Sequence, residues 1–587
     1  MRIAIGLLAA VTLAGCAGRT APSTGDASPV APVRVKIIAF NDFHGNLEAP
    51  RRAVAAPGPA GAEVQVPAGG AAWFASAIAQ LREGSPNTVV VSAGDMTSAS
   101  PLVSSLFLDE PTVATMNLVG VDFNAVGNHE FDRGQKELLR LQNGGCERNA
   151  QRDPCALEPF EGAKFRYLSA NVVKADGTTL FPAYGVRSFG KGKRQVRVAF
   201  IGMTLEGTSS LVMASGIAGL RFADEAETVN ALVPRLKAEG ADAIVVLVHQ
   251  GGYSQLGYNA KRCEGMTGEI LPILERLDPR VDLVVSGHTH NAYICDYASV
   301  NPQRPFLLTS AGYGGTLLTD ITLDIDPVAG RVVAKAADNV IVQSEGFATS
   351  RVTAQPTDLY PRFAPEPRVA SLVARYSAAA KTFSERPVGR LTGPALRESG
   401  EMQEQVLGNL IADAQLAATA APEAGGADIA FMNPGGVRAD LHPRPDGTVT
   451  FGDIYAAQPF GNVLTTARFT GRQLRAVLEQ QFDKAKPEGR TLLLASRGLT
   501  YGFDLGRPLG QRVIDPRLNG APIEDDRTYR VTMSNFLANG GDGFTSFAAG
   551  AEPMTGMTDL EALEAYLARH QPLAPPATDR VRDLTAR

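Results

Sequence analysis

Five of the seven histidines of the chain stand in four short polar clusters instead of being scattered along it. These are Asn41-Asp42-Phe43-His44, Gly127-Asn128-His129-Glu130, His249-Gln250-Gly251 and Gly287-His288-Thr289-His290, and a fifth cluster, Gly94-Asp95, supplies a carboxylate. Imidazole nitrogens and carboxylate and amide oxygens are the ligands that zinc, manganese and iron ions take in proteins. The clusters therefore predict a hydrolytic site that holds two divalent cations.

The candidate metal ligands follow runs of apolar, mostly β-branched residues, a pattern typical of strands buried on both faces. The predicted strands are Val33–Phe40, Thr88–Ser92, Phe123–Val126, Val196–Ile201, Ala243–Val248 and Val281–Val285. Ligands in α/β sheets bind at strand ends, so we expect the clusters to meet there. A single buried histidine is more often a core residue, but that interpretation would require five such placements to arise independently.

Seven side chains form the predicted ligand set: Asp42, His44, Asp95, Asn128, His249, His288 and His290. Asp42 and His44 are two residues apart, so their side chains would start on the same side of an extended segment. Asp95 can bridge two cations spaced roughly 3.5–4 Å apart. His129 would point to the opposite face from Asn128, which makes it a poor ligand.

The length of 587 residues predicts two large domains. Residues 34–345 alternate strand-like and helical runs and predict an α/β domain, with a surface insertion at residues 49–70. Residues 346–385 contain four prolines and read as a linker with a helix near Arg368–Phe383. Residues 386–583 mix strand, helix and turn patterns and predict an α+β domain. The net charge of −5 argues against a nucleic acid polymer as partner.

The N-terminus reads as a targeting segment. Residues 1–15 have the length and apolar content of a signal peptide, and Leu13-Ala14-Gly15-Cys16 resembles the lipobox of bacterial lipoproteins. The resemblance implies cleavage before Cys16, a lipid on its thiol, and a flexible tether over residues 16–33. Ala17 in place of aspartate favours the outer membrane. A plain secretory signal is the alternative, and both interpretations predict export.

Four cysteines remain if Cys16 carries a lipid. Their number agrees with an exported, disulfide-bonded protein, and their spacing does not resemble a cysteine zinc site. Pairing Cys146 with Cys155 and Cys263 with Cys295 is the simplest of three possible connectivities.

The order of the motifs resembles a known family. Asn-Asp-Phe-His, Gly-Asp, Gly-Asn-His-Glu-Phe-Asp, His-Gln-Gly and Gly-His-Thr-His, in this order, resemble the calcineurin-like metallophosphoesterases. The later motifs Asn-Pro-Gly-Gly-Val-Arg, Gln-Pro-Phe-Gly-Asn and Asn-Gly-Gly-Asp-Gly-Phe narrow the resemblance to bacterial 5′-nucleotidases of the periplasmic UDP-sugar hydrolase type. The resemblance covers about residues 34–583. It implies a four-layer α/β/β/α sandwich followed by an α+β substrate-binding domain.

The resemblance also implies roles for individual residues. One cation would be held by Asp42, His44, Asp95 and His290, and the other by Asp95, Asn128, His249 and His288. His129 resembles the catalytic histidine of the family, paired with Asp132. The implied substrate contacts, on a base stacked between two phenylalanines and on its ribose and phosphate, are Arg397, Asn433, Arg438, Phe460, Asn462, Phe536 and Asp542.

The resemblance implies a monomeric, metal-dependent 5′-nucleotidase that acts on nucleoside 5′-monophosphates and touches the membrane only through its lipid. The chain has Glu401 where relatives carry a further arginine, which would disfavour more highly charged substrates. Cyclic nucleotides and UDP-sugars stay open as substrates on the same fold. A non-catalytic surface binding protein is an alternative of another class. We also expect the domains to rotate about residues 352–384.

Overall fold

The computed structural model describes residues 31–150, 152–212, 214–348, 352–397, 402–483 and 490–585. The predicted signal peptide, Cys16, most of the tether and Glu401 lie outside the described residues. Among those that are described, no helix has both the length and the apolar character needed to cross a membrane.

Two six-stranded sheets pack face to face and form the centre of the N-terminal domain. The first contains, in spatial order, Arg331–Ile341, Leu317–Asp326, Val33–Phe40, Thr88–Ser92, Phe123–Ala125 and Arg166–Leu168. The second contains Ala292–Asp296, Leu307–Ala311, Leu283–Ser286, Ala243–His249, Val196–Thr204 and Tyr184–Phe189. Alternate residues of both sheets, such as Val35, Val91, Val245 and Val285, fill the space between them.

Helices cover the outer face of each sheet and complete the predicted four layers. Against the first sheet lie Ala71–Arg82, Leu102–Ser105, Glu110–Val119 and Gly134–Asn143. Against the second lie Glu225–Ala238 and Ile270–Arg276. Strands buried on both faces explain the uninterrupted apolar runs in the sequence. Five of the six predicted strands are observed within a few residues of their expected ends, and Val281–Val285 is shifted to Leu283–Ser286.

Residues 49–70, where a surface insertion was predicted, contain a β-hairpin formed by Arg52–Pro57 and Glu63–Ala68. Its far end is exposed, while Val66 and Ala68 are buried in the core of the N-terminal domain. Two smaller antiparallel pairs occur in this domain: Val172–Lys174 with Leu220–Phe222, and Phe347–Ala348 with Thr353–Ala354.

The predicted linker helix is present as Pro367–Ser384. It packs on the N-terminal domain, where Val369, Tyr376 and Ala380 are buried among core residues. The helix is therefore anchored on the N-terminal domain, and rotation of the domains about residues 352–384 stays a prediction. The chain enters the C-terminal domain just after this helix, at the strand Pro387–Arg390.

The C-terminal domain is α+β, as expected. A five-stranded sheet is formed by Leu494–Ala495, Ile429–Met432, Thr528–Ser534, Val463–Thr470 and Ala551–Thr558. A four-stranded sheet contains Ala521–Pro522, Val513–Leu518, Leu499–Phe503 and Val581–Asp583, and Pro387–Arg390 pairs with Thr448–Thr450. The helices are Val406–Thr419, Phe451–Ala457, Gly471–Gln480, Asn535–Ala538 and Asp559–Arg569. Capping boxes begin three of them, at Thr450, Thr470 and Thr558.

Two disulfides join Cys146 to Cys155 and Cys263 to Cys295, with Cα separations of 5.5 Å and 4.9 Å. This is the simplest of the three connectivities that the sequence allowed. The second disulfide ties the loop after the His249 cluster to the strand Ala292–Asp296, directly after the His288 cluster.

Candidate active site

Six of the seven predicted metal ligands form two neighbouring groups at the ends of the central strands. Asp42, His44 and His290 form one group and Asp95, His249 and His288 the other, and within each group the ligand atoms lie within 4.8 Å of one another. The seventh ligand, Asn128, places its Oδ1 3.1 Å from Nδ1 of His288. The structure therefore brings the whole predicted set together.

Asp95 belongs to the second group and also faces His44 of the first. Its Oδ2 is 3.6 Å from Nε2 of His44 and 2.9 Å from Nε2 of His249. These three atoms are buried, and none has a partner with hydrogen-bond geometry in the described part of the chain. Unsatisfied buried polar atoms are costly, so three of them facing one another fit bound cations.

Two histidines are held as metal-ligand tautomers by the backbone. Nδ1 of His44 lies 2.8 Å from the carbonyl oxygen of Ser98, and Nδ1 of His249 lies 2.8 Å from that of Ala93. A carbonyl oxygen only accepts hydrogen bonds, so each Nδ1 carries the proton and each Nε2 presents a lone pair to the cluster.

Electrostatics at the cluster favour positive charge. Burial lowers the pKa of His44 and His249, but the carboxylates of Asp42 and Asp95 outweigh it and raise the values to about 10 and about 9. Burial lowers the pKa of His288 to about 3 and that of His290 to about 4. Without a cation His44 and His249 would therefore be protonated, and a divalent cation would take the place of these protons beside the buried carboxylates.

The ligand loops adopt an unusual backbone conformation. Asp42, His44, Asp95, His288 and His290 all have positive φ, between 46° and 70°. This left-handed region is uncommon for residues other than glycine, and it concentrates at functional sites. The expectation that Asp42 and His44 extend a strand was wrong, because the chain turns sharply after Phe40 and both side chains reach the cluster from that turn.

Adjacent glycines allow these loops to approach one another. A Cβ atom on Gly127 would lie 2.1 Å from Oδ1 of Asp95, and one on Gly94 would lie 2.7 Å from Nδ1 of His249. Neither distance leaves room for a side chain, so these two glycines are required for the ligands to meet.

Sequence reasoning missed Glu130, which holds the Asp95 loop in place. Its buried carboxylate accepts hydrogen bonds from the backbone nitrogens of Asp95, Met96, Thr97 and Gly127, at 2.7–3.3 Å. The position of Glu130 directly after His129 was the available clue, but the sequence cannot show that one carboxylate joins two loops.

His129 and Asp132 form the expected pair. Nδ1 of His129 lies 2.9 Å from Oδ2 of Asp132, and the two residues are three apart on a 3₁₀ turn that begins at His129. The segment is not extended as predicted, yet His129 is still outside both ligand groups. Its ring centroid is 5.1 Å from that of His44, so Nε2 can serve a group bound at the cluster.

The predicted substrate residues lie across the cavity in the C-terminal domain. Phe460 is half-buried on a loop and Phe536 is half-buried in the short helix Asn535–Ala538, and the Phe460 ring stacks on His129 with centroids 5.7 Å apart. Nδ2 of Asn433 donates to Oδ2 of Asp542 at 2.7 Å, and Nη1 of Arg397 donates to the carbonyl oxygen of Arg438 at 3.0 Å.

One cavity of about 930 Å³ joins the two sets of residues. From the N-terminal domain it is lined by Asp95, Asn128, His129, Asp132, His288 and His290, and from the C-terminal domain by Arg397, Asn433, Arg438, Phe460, Asn462, Phe536 and Asp542. Ligand cluster, histidine pair and aromatic rings therefore face one space between the domains.

The two domains match two known family models. The calcineurin-like phosphoesterase model matches residues 35–292, and the model of the C-terminal domain of 5′-nucleotidases matches residues 387–549. The chain belongs to the two-domain 5′-nucleotidase family. Members of this family are metal-dependent phosphoesterases, and their combination of domains agrees with the observed architecture.

Two known proteins are similar to this chain over nearly its whole length. Endonuclease YhcR of Bacillus subtilis is 30% identical over 94% of this chain, and cell wall protein Lmo0130 of Listeria monocytogenes is 30% identical over 90% of it. The chain spans only 41% and 66% of the lengths of these two proteins. The crystal structure of a 5′-nucleotidase precursor from Thermus thermophilus is 25% identical, with a TM-score of 0.71, and the match covers 94% of this chain and 99% of that one.

Proposed function

We propose that this protein is an exported, two-metal phosphohydrolase that releases phosphate from nucleoside 5′-monophosphates. The observation that carries the proposal is the shared cavity, in which the ligand cluster and the His129–Asp132 pair face the rings of Phe460 and Phe536. A metal site alone would accept many esters, whereas two rings beside it select for a planar base.

The proposed metal sites divide the ligands as the two groups do. Asp42, His44 and His290 would hold one cation, and Asn128, His249 and His288 the other, with Asp95 bridging. Two such cations activate water and neutralise charge on a phosphoryl group. The buried, unpartnered Nε2 atoms of His44 and His249 support this assignment. Zinc and manganese both suit these ligand types.

His129 is the proposed catalytic residue. Asp132 accepts the proton of Nδ1 and so orients the ring, which leaves Nε2 to face the cavity. From there His129 would donate a hydrogen bond to the phosphoryl group or a proton to the departing ribose oxygen.

The substrate residues would act together on the remaining parts of the nucleotide. Phe460 and Phe536 would stack on the base, and Arg397 and Arg438 would contact its anionic groups. Asn462, Asn433 and Asp542 would bind the base or ribose by hydrogen bonds. The proposed boundaries of the catalytic and substrate-binding domains are residues 34–345 and 386–583, joined by residues 346–385.

We also propose that the protein is a monomer held at the outer membrane by a lipid on Cys16. The two disulfides support export, since such bonds persist in oxidising compartments. Labelling of cells with a fatty-acid analogue tests the anchor: the wild-type protein should carry the label and Cys16→Ser should not. Labelling of both proteins would exclude this site.

Phosphate release by the form lacking residues 1–16 tests the activity. AMP, 2′,3′-cyclic AMP, UDP-glucose and ATP would each be supplied with Mn²⁺, with Zn²⁺ or with EDTA. We expect metal-dependent release that is fastest from AMP. The first cleavage of the cyclic nucleotide or of UDP-glucose releases no inorganic phosphate, so their products would be followed by chromatography. Faster conversion of either one than of AMP would select that alternative substrate. Binding of metal and nucleotide without release would instead favour a surface binding protein.

A further inference from the structure

The carbonyl group of Ser98 determines how the ring of His44 is oriented. The main chain at this ligand is fixed elsewhere, because the backbone nitrogens of His44 and Gly45 donate to the carbonyl oxygens of Asp95 and Met96 at 3.0 Å and 3.1 Å. The ring is held by the carbonyl oxygen of Ser98, which lies 2.8 Å from Nδ1. A shift of Ser98 would therefore turn the ring and move Nε2 away from the cation proposed there.

The loop that contains Ser98 has a backbone conformation that needs outside support. Ser98 and Ala99 have positive φ, 65° and 46°, and the facing residues Leu108 and Asp109 have φ of 55° and 62°. Such left-handed conformations cost energy in residues other than glycine, and they persist only where neighbouring contacts fix them. The position of the Ser98 carbonyl therefore depends on the residues that bind this loop.

Asp109 binds the loop through a completely buried carboxylate. Its Oδ2 accepts from the backbone nitrogen of Ser98 at 3.1 Å and from Nη1 of Arg133 at 2.5 Å. Its Oδ1 accepts from Oγ of Ser104 at 2.6 Å. Nη1 of Arg133 also donates to Oγ of Ser98 at 3.2 Å. Asp109 thus holds the main chain of Ser98 directly and its side chain through Arg133.

The surroundings of Asp109 favour its ionised form. Burial raises the pKa of the carboxyl, but the charge of Arg133 and hydrogen bonds from Ser100 and Ser104 outweigh burial and lower the value. An ionised carboxylate accepts hydrogen bonds on both oxygens, so it can hold Ser98 and Ser104 at the same time.

We propose that Asp109 is a positioning residue of the metal cluster, which orients His44 toward its cation by holding the carbonyl group of Ser98 in place. Its oxygens are occupied by Ser98, Ser104 and Arg133, so Asp109 acts through His44 and not as a further ligand. The inference rests on the two-metal site of the proposed function and goes beyond it. Each ligand group would then be supported by one buried carboxylate, Glu130 at Asp95 and Asp109 at His44.

Titration with Mn²⁺ tests the role of Asp109. The electron paramagnetic resonance signal of the free ion gives the number of bound ions and their dissociation constants. The wild-type protein should bind two ions. Asp109→Ala should weaken one of them by about tenfold to a hundredfold, the usual cost of losing a group that orients a ligand, and leave the other nearly unchanged. Asp109→Asn keeps the shape and one acceptor oxygen and should show a smaller loss at the same site.

Glu137→Ala is the matched control. Glu137 is another buried carboxylate of the N-terminal domain, it pairs with Arg140 at 2.7 Å, and its loss changes the net charge equally. Thermal unfolding compares the cost in stability of the two alanine variants, and the control should bind both ions as the wild-type protein does. Equal weakening of both ions by Asp109→Ala, the same weakening by Glu137→Ala, or unchanged dissociation constants would overturn the proposal.

The titration needs no turnover and so separates this role from the proposed activity. Selective weakening of one ion in a protein that hydrolyses no nucleotide would retain the role of Asp109 and reject the nucleotidase. Unchanged metal affinity of the variants in a protein that hydrolyses AMP would do the reverse. A wild-type protein that binds fewer than two Mn²⁺ ions would overturn both.

Discussion

The two sides of the cavity are built in opposite ways. On the metal side, Asp42, His44 and His249 are completely buried. Glycines let the ligand loops approach one another closely, and backbone hydrogen bonds to the Glu130 carboxylate hold them there. On the substrate side, Phe460 and Phe536 are half-exposed and Arg397 is exposed. In the proposed function, chemistry would thus depend on buried, backbone-anchored groups, whereas recognition would depend on more exposed side chains.

The largest effect is expected at Asp95, whose carboxylate faces histidines of both ligand groups. Asp95→Asn keeps the shape of the side chain but removes the charge that is proposed to bridge two cations, so phosphate release should fall by more than about a thousandfold with every ester. Metal content, measured by elemental analysis, should fall with it. Asp176→Asn changes an exposed carboxylate of the same domain and should leave both unchanged. Full metal content with near-normal turnover would refute the bridging role.

His129→Ala separates catalysis from metal binding on the same side of the cavity. We expect kcat to fall by about 10²–10⁴-fold, because a proton or hydrogen-bond donor is lost, while metal content stays constant. Asp132→Asn, which only misorients the His129 ring, should lower kcat about tenfold to a hundredfold. A drop in metal content in both variants would mean that the pair supports the metal cluster instead.

Phe460→Ala tests the substrate side. One lost stacking contact is worth about 1–3 kcal/mol, so KM for AMP should rise about tenfold or more, with a smaller change in kcat. Glycerol phosphate has no ring to stack, and its KM should hardly change. Phe383→Ala removes an exposed phenylalanine of the helix Pro367–Ser384 and serves as the control. Equal increases for both substrates would contradict a base-stacking role.

The smallest expected effect concerns the pH dependence of stability on the substrate side. Asp559 is buried, its Oδ2 accepts from Nδ2 of Asn462 at 3.3 Å, and burial raises its pKa to about 7. The carboxyl keeps its proton up to about pH 7 when folded but loses it near pH 4 when unfolded. The free energy of unfolding should therefore fall between pH 4 and 7, by at most about 1.4 kcal/mol per pH unit.

Thermal unfolding of Asp559→Asn and of the wild-type protein at pH 5 and at pH 8 measures this contribution. The variant should lose less stability than the wild-type protein between these values, because an amide does not titrate in this range. Asp525→Asn, at an exposed carboxylate, should follow the wild-type protein. Parallel losses in all three proteins would show that Asp559 ionises normally.

Much of the fold could be predicted from the sequence because buried strands appear in it as consecutive apolar residues. Thr88–Ser92 was predicted to the residue, and the helix found at Pro367–Ser384 was predicted within one residue at each end. The hairpin at residues 52–68 was not predicted, since its Ala, Pro and Gly residues have low strand propensity and its pairing depends on contacts with Gln343.

The candidate metal ligands were predicted from residue type and position, and the structure places them together, but their geometry was not predicted. Asp42 and His44 were predicted to lie on one face of an extended segment, whereas both have left-handed backbone conformations and reach the cluster from a turn. Backbone conformation at single residues is set by tertiary contacts, here the close approach of Gly127 to Asp95, and these have no local pattern in the sequence.

The left-handed ligand loops also bear on how such a protein can change over evolutionary time. Aspartate and asparagine tolerate positive φ better than other residues with side chains, while β-branched residues do not. A lineage that abandons catalysis could exchange Asp42 or Asp95 for asparagine and keep its fold, but valine or isoleucine would strain the backbone as well. Descendants without metal should therefore persist as folded binding proteins, with asparagine or glycine at these positions.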